Sequence, residues 1–146
     1  MKAAVIGAGA IGGYFAAMLA DAGHDVTLCV RTPFETLTID DGGATRDVGA
    51  TIVADPGDMP ADAGPVDLIV VATKAQDTAS ARPWLEALSG PETLVLIAQN
   101  GVDQIVSVED STACIHASYG KTEPASRELL SEPKITAERA NATVAG

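Results

Sequence analysis

The reading of this chain turns on MKAAVIGAGAIGGYFAAMLADAGHDVTLCVR, residues 1–31. Lys2 to Ile6 is a short run of small and β-suited residues, followed by Gly7-Ala8-Gly9-Ala10-Ile11-Gly12-Gly13 and a helical pattern to about Ala22. Ile11, Phe15, Met18 or Leu19, and Ala22 recur at helical spacing as the expected apolar stripe. Gly12, Gly13, Ala16, Ala17 and Ala20 keep the helix thin enough to sit close to a sheet. Gly23 is placed to stop the helix, and Asp25 to Val30 reads as a second strand, apolar along nearly all its length. Strand, glycine turn, helix and strand in this order make one βαβ unit of roughly 30 residues.

Gly7, Gly9 and Gly12 form a GxGxxG pattern, and its position directly after a strand and at the opening of a helix gives it meaning. The first glycine permits a tight turn, the second lets backbone approach a pyrophosphate, and the third allows close packing of helix on strand. The helix start offers N–H groups to anionic oxygens. A glycine turn that only packs a helix tightly is the competing reading, and the agreement of turn, helix and second strand favours the nucleotide. Where NAD-binding versions of this unit carry an acidic residue at the end of the second strand, this sequence has Val30-Arg31-Thr32. Arg31 is either a solvent-facing side chain or a fork of donors for a 2′-phosphate, with a planar face for adenine; the second reading favours NADP(H).

Further along, Thr36 to Ile39 alternates, Asp40-Asp41-Gly42-Gly43 is turn chemistry, and Thr51 to Val53 is extended. This pattern predicts an antiparallel hairpin where a second crossover helix would normally stand. Pro56 through Pro65 reads as a surface loop, and Val66 to Thr73 as a buried strand with Lys74 at its carboxyl end. A helix is expected from Asp77 or Thr78 to Leu88, with Leu85 and Leu88 inward and Pro83 either delaying or kinking it. Thr93 to Ala98 is the next strand, turning sharply at Gln99-Asn100-Gly101. Thr112 to Ser118 is a further strand, Glu128 to Leu130 a helical turn, and Ile135 to Val144 an extended segment. The expected fold class is therefore α/β: a Rossmann-type, doubly wound, mostly parallel sheet with an inserted β-hairpin.

Lys74 and Asn100 fall at the carboxyl ends of two later strands, the edge where open α/β sheets bind ligands. Lys74 is suited to a nicotinamide ribose or a substrate carboxylate, and Asn100 to the same region, with Gly101 letting the chain turn close by. Each also has a plain alternative, a solvated strand-terminal lysine and a common Asn-Gly turn.

Composition narrows the field. The chain has 146 residues, 47% of them hydrophobic, and 20 acidic against 9 basic side chains give a formal charge of −11. That is one domain with an aliphatic core, since Phe15, Phe34, Trp84, Tyr14 and Tyr119 are its only aromatic residues. The negative surface opposes a general nucleic-acid binder. The apolar runs fall far short of the ~20 residues that span a bilayer, and Met1-Lys2 leads directly into a strand, so no membrane partner and a cytoplasmic location are expected. Cys29 and Cys114 read as small buried hydrophobes. His24 and His116 lack a ligand cluster and suggest no metal. Asp40 and Asp41 belong to a turn, and Tyr119 and Lys121 lack the Tyr-xxx-Lys spacing of some dehydrogenases.

Taken together, the glycine spacing and closing arginine of residues 1–31, VVATKAQDT around Lys74 and LIAQNGVD around Asn100 resemble the N-terminal domain of the ketopantoate reductases (2-dehydropantoate 2-reductases), over about Met1 to Asp103. The resemblance implies that residues 1–146 form an NADP-binding domain, with 103–146 poorly matched to the family. It implies hydride transfer from NADPH to a 2-keto acid, giving pantoate on the route to coenzyme A. Gly7, Ala8, Gly9, Ala10, Ile11 and Gly12 would hold the pyrophosphate, Arg31 the 2′-phosphate, and Thr73, Lys74, Asn100 and Gly101 the nicotinamide end, with Lys74 and Asn100 also lining the substrate cleft. In that family the general-acid lysine and most substrate contacts belong to a second, helical domain that this chain is expected to lack, so no catalytic residue is assigned within it. Two readings follow: a 2-keto acid reductase represented by its cofactor domain, or a stand-alone NADP(H)-binding module without chemistry. A degenerate domain that binds nothing tightly is a third. A homo-oligomer, or another chain supplying the missing groups, is the expected partner besides the keto acid.

Overall fold

The computed structural model describes residues 1–40 and 42–99, together with the backbone of two strands at 113–116 and 136–139. The first strand, β1 (Lys2–Ile6), leads through the glycine turn into α1 (Ala10–Asp21) and then β2 (Asp25–Cys29). α1 ends in a Schellman arrangement: Gly23 N–H donates to Ala20 O at 2.9 Å and His24 N–H to Leu19 O at 3.0 Å. Gly23 has φ +81°, a conformation costly for any residue with a β-carbon.

A hairpin of β3 (Leu37–Asp40) and β4 (Thr45–Val48) follows, then β5 (Ala50–Val53), β6 (Leu68–Val71), a 3-10 segment (Ala75–Ala81), α2 (Arg82–Leu88), β7 (Leu94–Ile97), β8 (Ala113–His116) and β9 (Thr136–Arg139). The main sheet has the order β5-β2-β1-β6-β7-β8-β9. Every neighbouring pair is parallel except β8 with β9. The order runs outward from β1 through β2 to β5, then returns to the other side of β1 for β6. The fold is thus the expected doubly wound sheet with its topological switch point between β1 and β6, where such sheets open a crevice at their carboxyl edge.

Strands β1, β2, β5, β6 and β7 carry apolar residues on both faces because both faces are covered. Val5, Val26, Leu28 and Val70 pack beneath α1 with Ala16. Ala4, Ile6, Ile69, Val71 and Val95 pack against Trp84, Leu85 and Leu88 of α2. The structure corrects the expected face of α1. Its buried residues are Gly12, Gly13, Ala16 and Ala17, whereas Ile11 and Met18 are exposed. Phe15 and Leu19 lie at the flanks, partly buried. The small residues let the helix axis approach the sheet, which turns the larger ones outward or aside.

The hairpin is also redrawn. Its returning strand is Thr45–Val48, with Leu37 opposite Val48 and Asp40 opposite Thr45, while Thr51 to Val53 belongs to β5, parallel to β2. The apolar character of β5 explains this. Ile52 and Ala50 pack with the Val26 and Leu28 cluster and Val53 with the opposite one, so the segment suits a sheet covered on both sides. The turn chemistry at Asp40 holds, since its Oδ1 accepts from Gly42 N–H at 2.9 Å. Asp41 and the expected turn at Glu128 to Leu130 lie outside the described residues. The hairpin is tied to α1 by Leu37 and by a two-pronged Arg46–Asp21 pair, with Nη1 to Oδ1 at 2.8 Å. Pro83 falls in the first turn of α2, so the late start is the form taken.

Candidate functional site

Two turns leave the sheet at the switch point, the glycine turn after β1 and Thr73-Lys74 after β6, and they lie against each other. Gly7 has φ +104°, its N–H donates to Cys29 O at 2.9 Å, and a β-carbon on it would lie 3.1 Å from the backbone of Ala72 and Thr73. At Gly12 a β-carbon would fall 1.8 Å from Gly7 O, so no other residue fits. At Gly9 a β-carbon would meet nothing within 4 Å, and φ −72° with ψ −175° is open to any residue. The fold therefore demands the first and third glycines but not the second.

Gly9 is the N-cap of α1, with no side-chain cap and no acidic residue in the first turn. The leading N–H groups of such a helix have no partner within it and suit an anion. Ala8, Gly9, Ala10 and Ile11 are all exposed around this helix start. Open space before Gly9, beside these donors, fits the pyrophosphate of a dinucleotide: backbone can approach where any larger side chain would intrude.

Arg31 lies just past β2 with its side chain 82% exposed, and its Nη1 is 3.9 Å from Asp77 Oδ1 in the 3-10 segment after β6. Lys74 is exposed at the N-cap of that segment, and its carbonyl accepts from Asp77 N–H at 2.8 Å. Gly7 to Gly12, Arg31, Thr73 and Lys74 thus share one edge of the sheet. Asn100 and Gly101 lie outside the described residues.

Gln99, read from sequence only as part of a turn, proves to be a strut of this edge. It is 4% exposed, and its Nε2 donates to Thr73 Oγ1 at 2.8 Å and to Thr78 Oγ1 at 3.0 Å. Thr78 Oγ1 donates to Ala75 O at 2.7 Å. One amide thus binds the end of β7 to both sides of the Lys74 turn. A polar residue closing an apolar strand was the available signal.

Cys29 sits beneath the site and takes no part in it, since burial pushes its thiol up to about 12. Among the described residues no group of three or more His, Cys, Asp or Glu could hold a metal ion, and no helix is long and apolar enough to cross a membrane.

Comparison with known proteins places this geometry. The model of the family described as ketopantoate reductase PanE/ApbA matches residues 3–125. The chain belongs to that family. It is 44% identical over 103 residues to a 2-dehydropantoate 2-reductase of Caulobacter vibrioides, covering 70% of this chain and 34% of that protein. The PanE/ApbA family ketopantoate reductase of Ralstonia eutropha JMP134 superposes with a TM-score of 0.68 at 31% identity, over 80% of this chain and 41% of that one. A D-mandelate dehydrogenase solved with NADH and anilino(oxo)acetate superposes with a TM-score of 0.66 at 25% identity, over 81% of this chain and 40% of that one. The chain spans about a third of the length of the curated ketopantoate reductases it matches.

Proposed function

We propose that this chain is the NADP(H)-binding part of a 2-keto acid reductase whose substrate is 2-dehydropantoate, reduced to pantoate for coenzyme A synthesis. The observation that carries the reading is Gly9, a glycine that neither packing nor backbone conformation requires, set at the uncapped start of α1. In this reading the backbone from Gly7 to Gly12 holds the pyrophosphate and Arg31 takes the 2′-phosphate. Lys74, with Thr73 behind it, orients the nicotinamide end, joined there by Asn100 and Gly101. Lys74 and Asn100 are also assigned to binding the keto acid. The bound nicotinamide supplies the hydride.

The residues of this chain bind and orient. The proton delivered to the ketone oxygen comes from a lysine outside it, in a helical domain on a longer polypeptide or a second chain. A second reading stands beside the first: a module that binds NADP(H) without turnover, since the described residues bind and orient. Calorimetric titration with NADPH and NADH, repeated on Arg31→Ala, tests the binding. Tighter NADPH binding that loses its advantage in the variant supports it, and absence of binding by either nucleotide overturns it. Turnover of 2-dehydropantoate by the purified chain overturns the module reading.

A further inference from the structure

Arg31 and Asp77 emerge from β2 and from the segment after β6, the strands on either side of β1. Their side chains meet at 3.9 Å, linking the two elements that flank the carboxyl end of β1. The two partners differ in how they are held. Asp77 is two-thirds covered on a tight turn, with its N–H bonded to Lys74 O at 2.8 Å and its carbonyl accepting from Ser80 Oγ at 2.6 Å. Arg31 is a long, exposed side chain, and among the described residues Asp77 is its only ion-pair partner.

We propose that Asp77 is a specificity-determining residue, a carboxylate carried on a hydrogen-bonded turn that competes with the 2′-phosphate of NADPH for the Arg31 guanidinium and so moderates the preference for NADPH over NADH. The proposal rests on the dinucleotide reading of the glycine turn. A 2′-phosphate drawn to Arg31 arrives within a Debye length of the Asp77 carboxylate and is repelled by it. An uncharged ribose 2′-hydroxyl meets no such repulsion and can donate a hydrogen bond to the same oxygen. The pair therefore gives the site an attractive and a repulsive element acting on one substituent of the nucleotide.

The test measures dissociation constants for NADPH and NADH on the whole chain and on Asp77→Asn, Arg31→Ala and the double variant, at low and at high salt. Asp77→Asn keeps the shape and removes the charge. It is expected to tighten NADPH about three- to tenfold at low salt and less at high salt, with no gain for NADH. A purely structural role would move both nucleotides together. Equal changes for the two, or none, in a protein whose NADPH preference is still lost in Arg31→Ala, overturn the role of Asp77 alone. An NADPH preference untouched by Arg31→Ala, or no binding by either nucleotide, overturns the reading beneath it as well.

Discussion

A β-carbon on Gly12 would stand 1.8 Å from the carbonyl oxygen of Gly7, so the helix start and the strand end are locked in a contact that only hydrogen can occupy. Gly12→Ala must push α1 away from β1 or break the turn. A loss of more than about 3 kcal/mol is expected, by the cost of forcing atoms into a rigid backbone contact. Urea denaturation followed by circular dichroism measures it.

Gly9→Ala separates folding from binding at the neighbouring position. Its β-carbon enters open space in an ordinary conformation, so stability should change by no more than about 1 kcal/mol, the stiffer unfolded chain offsetting part of the N-cap preference for glycine over alanine. The same methyl group occupies the proposed approach of the pyrophosphate. NADPH affinity is therefore expected to fall at least tenfold by calorimetry while the denaturation midpoint stays near the parent's.

Helix α1 offers a contrast between size and burial. Ala16 is 0% exposed against Val5, Val26, Leu28 and Val70, and Met18 is 50% exposed. Ala16→Leu should cost about 1–3 kcal/mol or more by overpacking, and Met18→Gln less than about 0.5 kcal/mol. Thermal unfolding of the two variants checks the ranking, which reverses what residue size alone would give.

These positions mark where the sequence was legible. The βαβ unit was readable because its signals are local: Gly7 and Gly23 sit where positive φ is needed, and parallel strands buried on both faces give apolar runs such as Leu68–Val71. The inward face of α1 was not, because a distance between backbones decided it, and helical spacing cannot tell a close approach by alanines from a wider one by Ile11 and Met18. The partner of Thr51 to Val53 was hidden for a similar reason: an extended segment looks the same whether it closes a hairpin or joins a sheet edge. Within the site, Lys74 and Arg31 were visible as charges at strand ends. Gln99 and Asp77 act through partners distant in sequence, Thr73 and Arg31, and a single sequence does not display those pairs.

Gln99→Leu tests the strut. It leaves the half-buried hydroxyls of Thr73 and Thr78 without their amide donor, and a loss of about 1–2 kcal/mol is expected, the net worth of two hydrogen bonds whose partners keep some access to water. Hydrogen exchange should show faster amide exchange around residues 73–78 in the variant while the β1 amides remain protected.

Cys29 gives the chain a pH dependence of known sign. Burial raises its thiol from the usual 9.0 to about 12, so in the folded protein it stays protonated where the unfolded chain has already released the proton. Above pH 9 the unfolded state therefore binds fewer protons, and stability falls as pH rises, with no contribution from this group well below pH 9. Between pH 8 and pH 10 the loss amounts to about 1.4 kcal/mol, at 1.36 kcal/mol per pH unit once the unfolded thiol ionises. Urea unfolding of the parent and of Cys29→Ala at the two values isolates it, since the parent's stability relative to the variant should shrink by that amount on going to pH 10. A thiol reagent should label Cys29 only at the rate of unfolding, with peptide mapping used to separate its signal from that of Cys114.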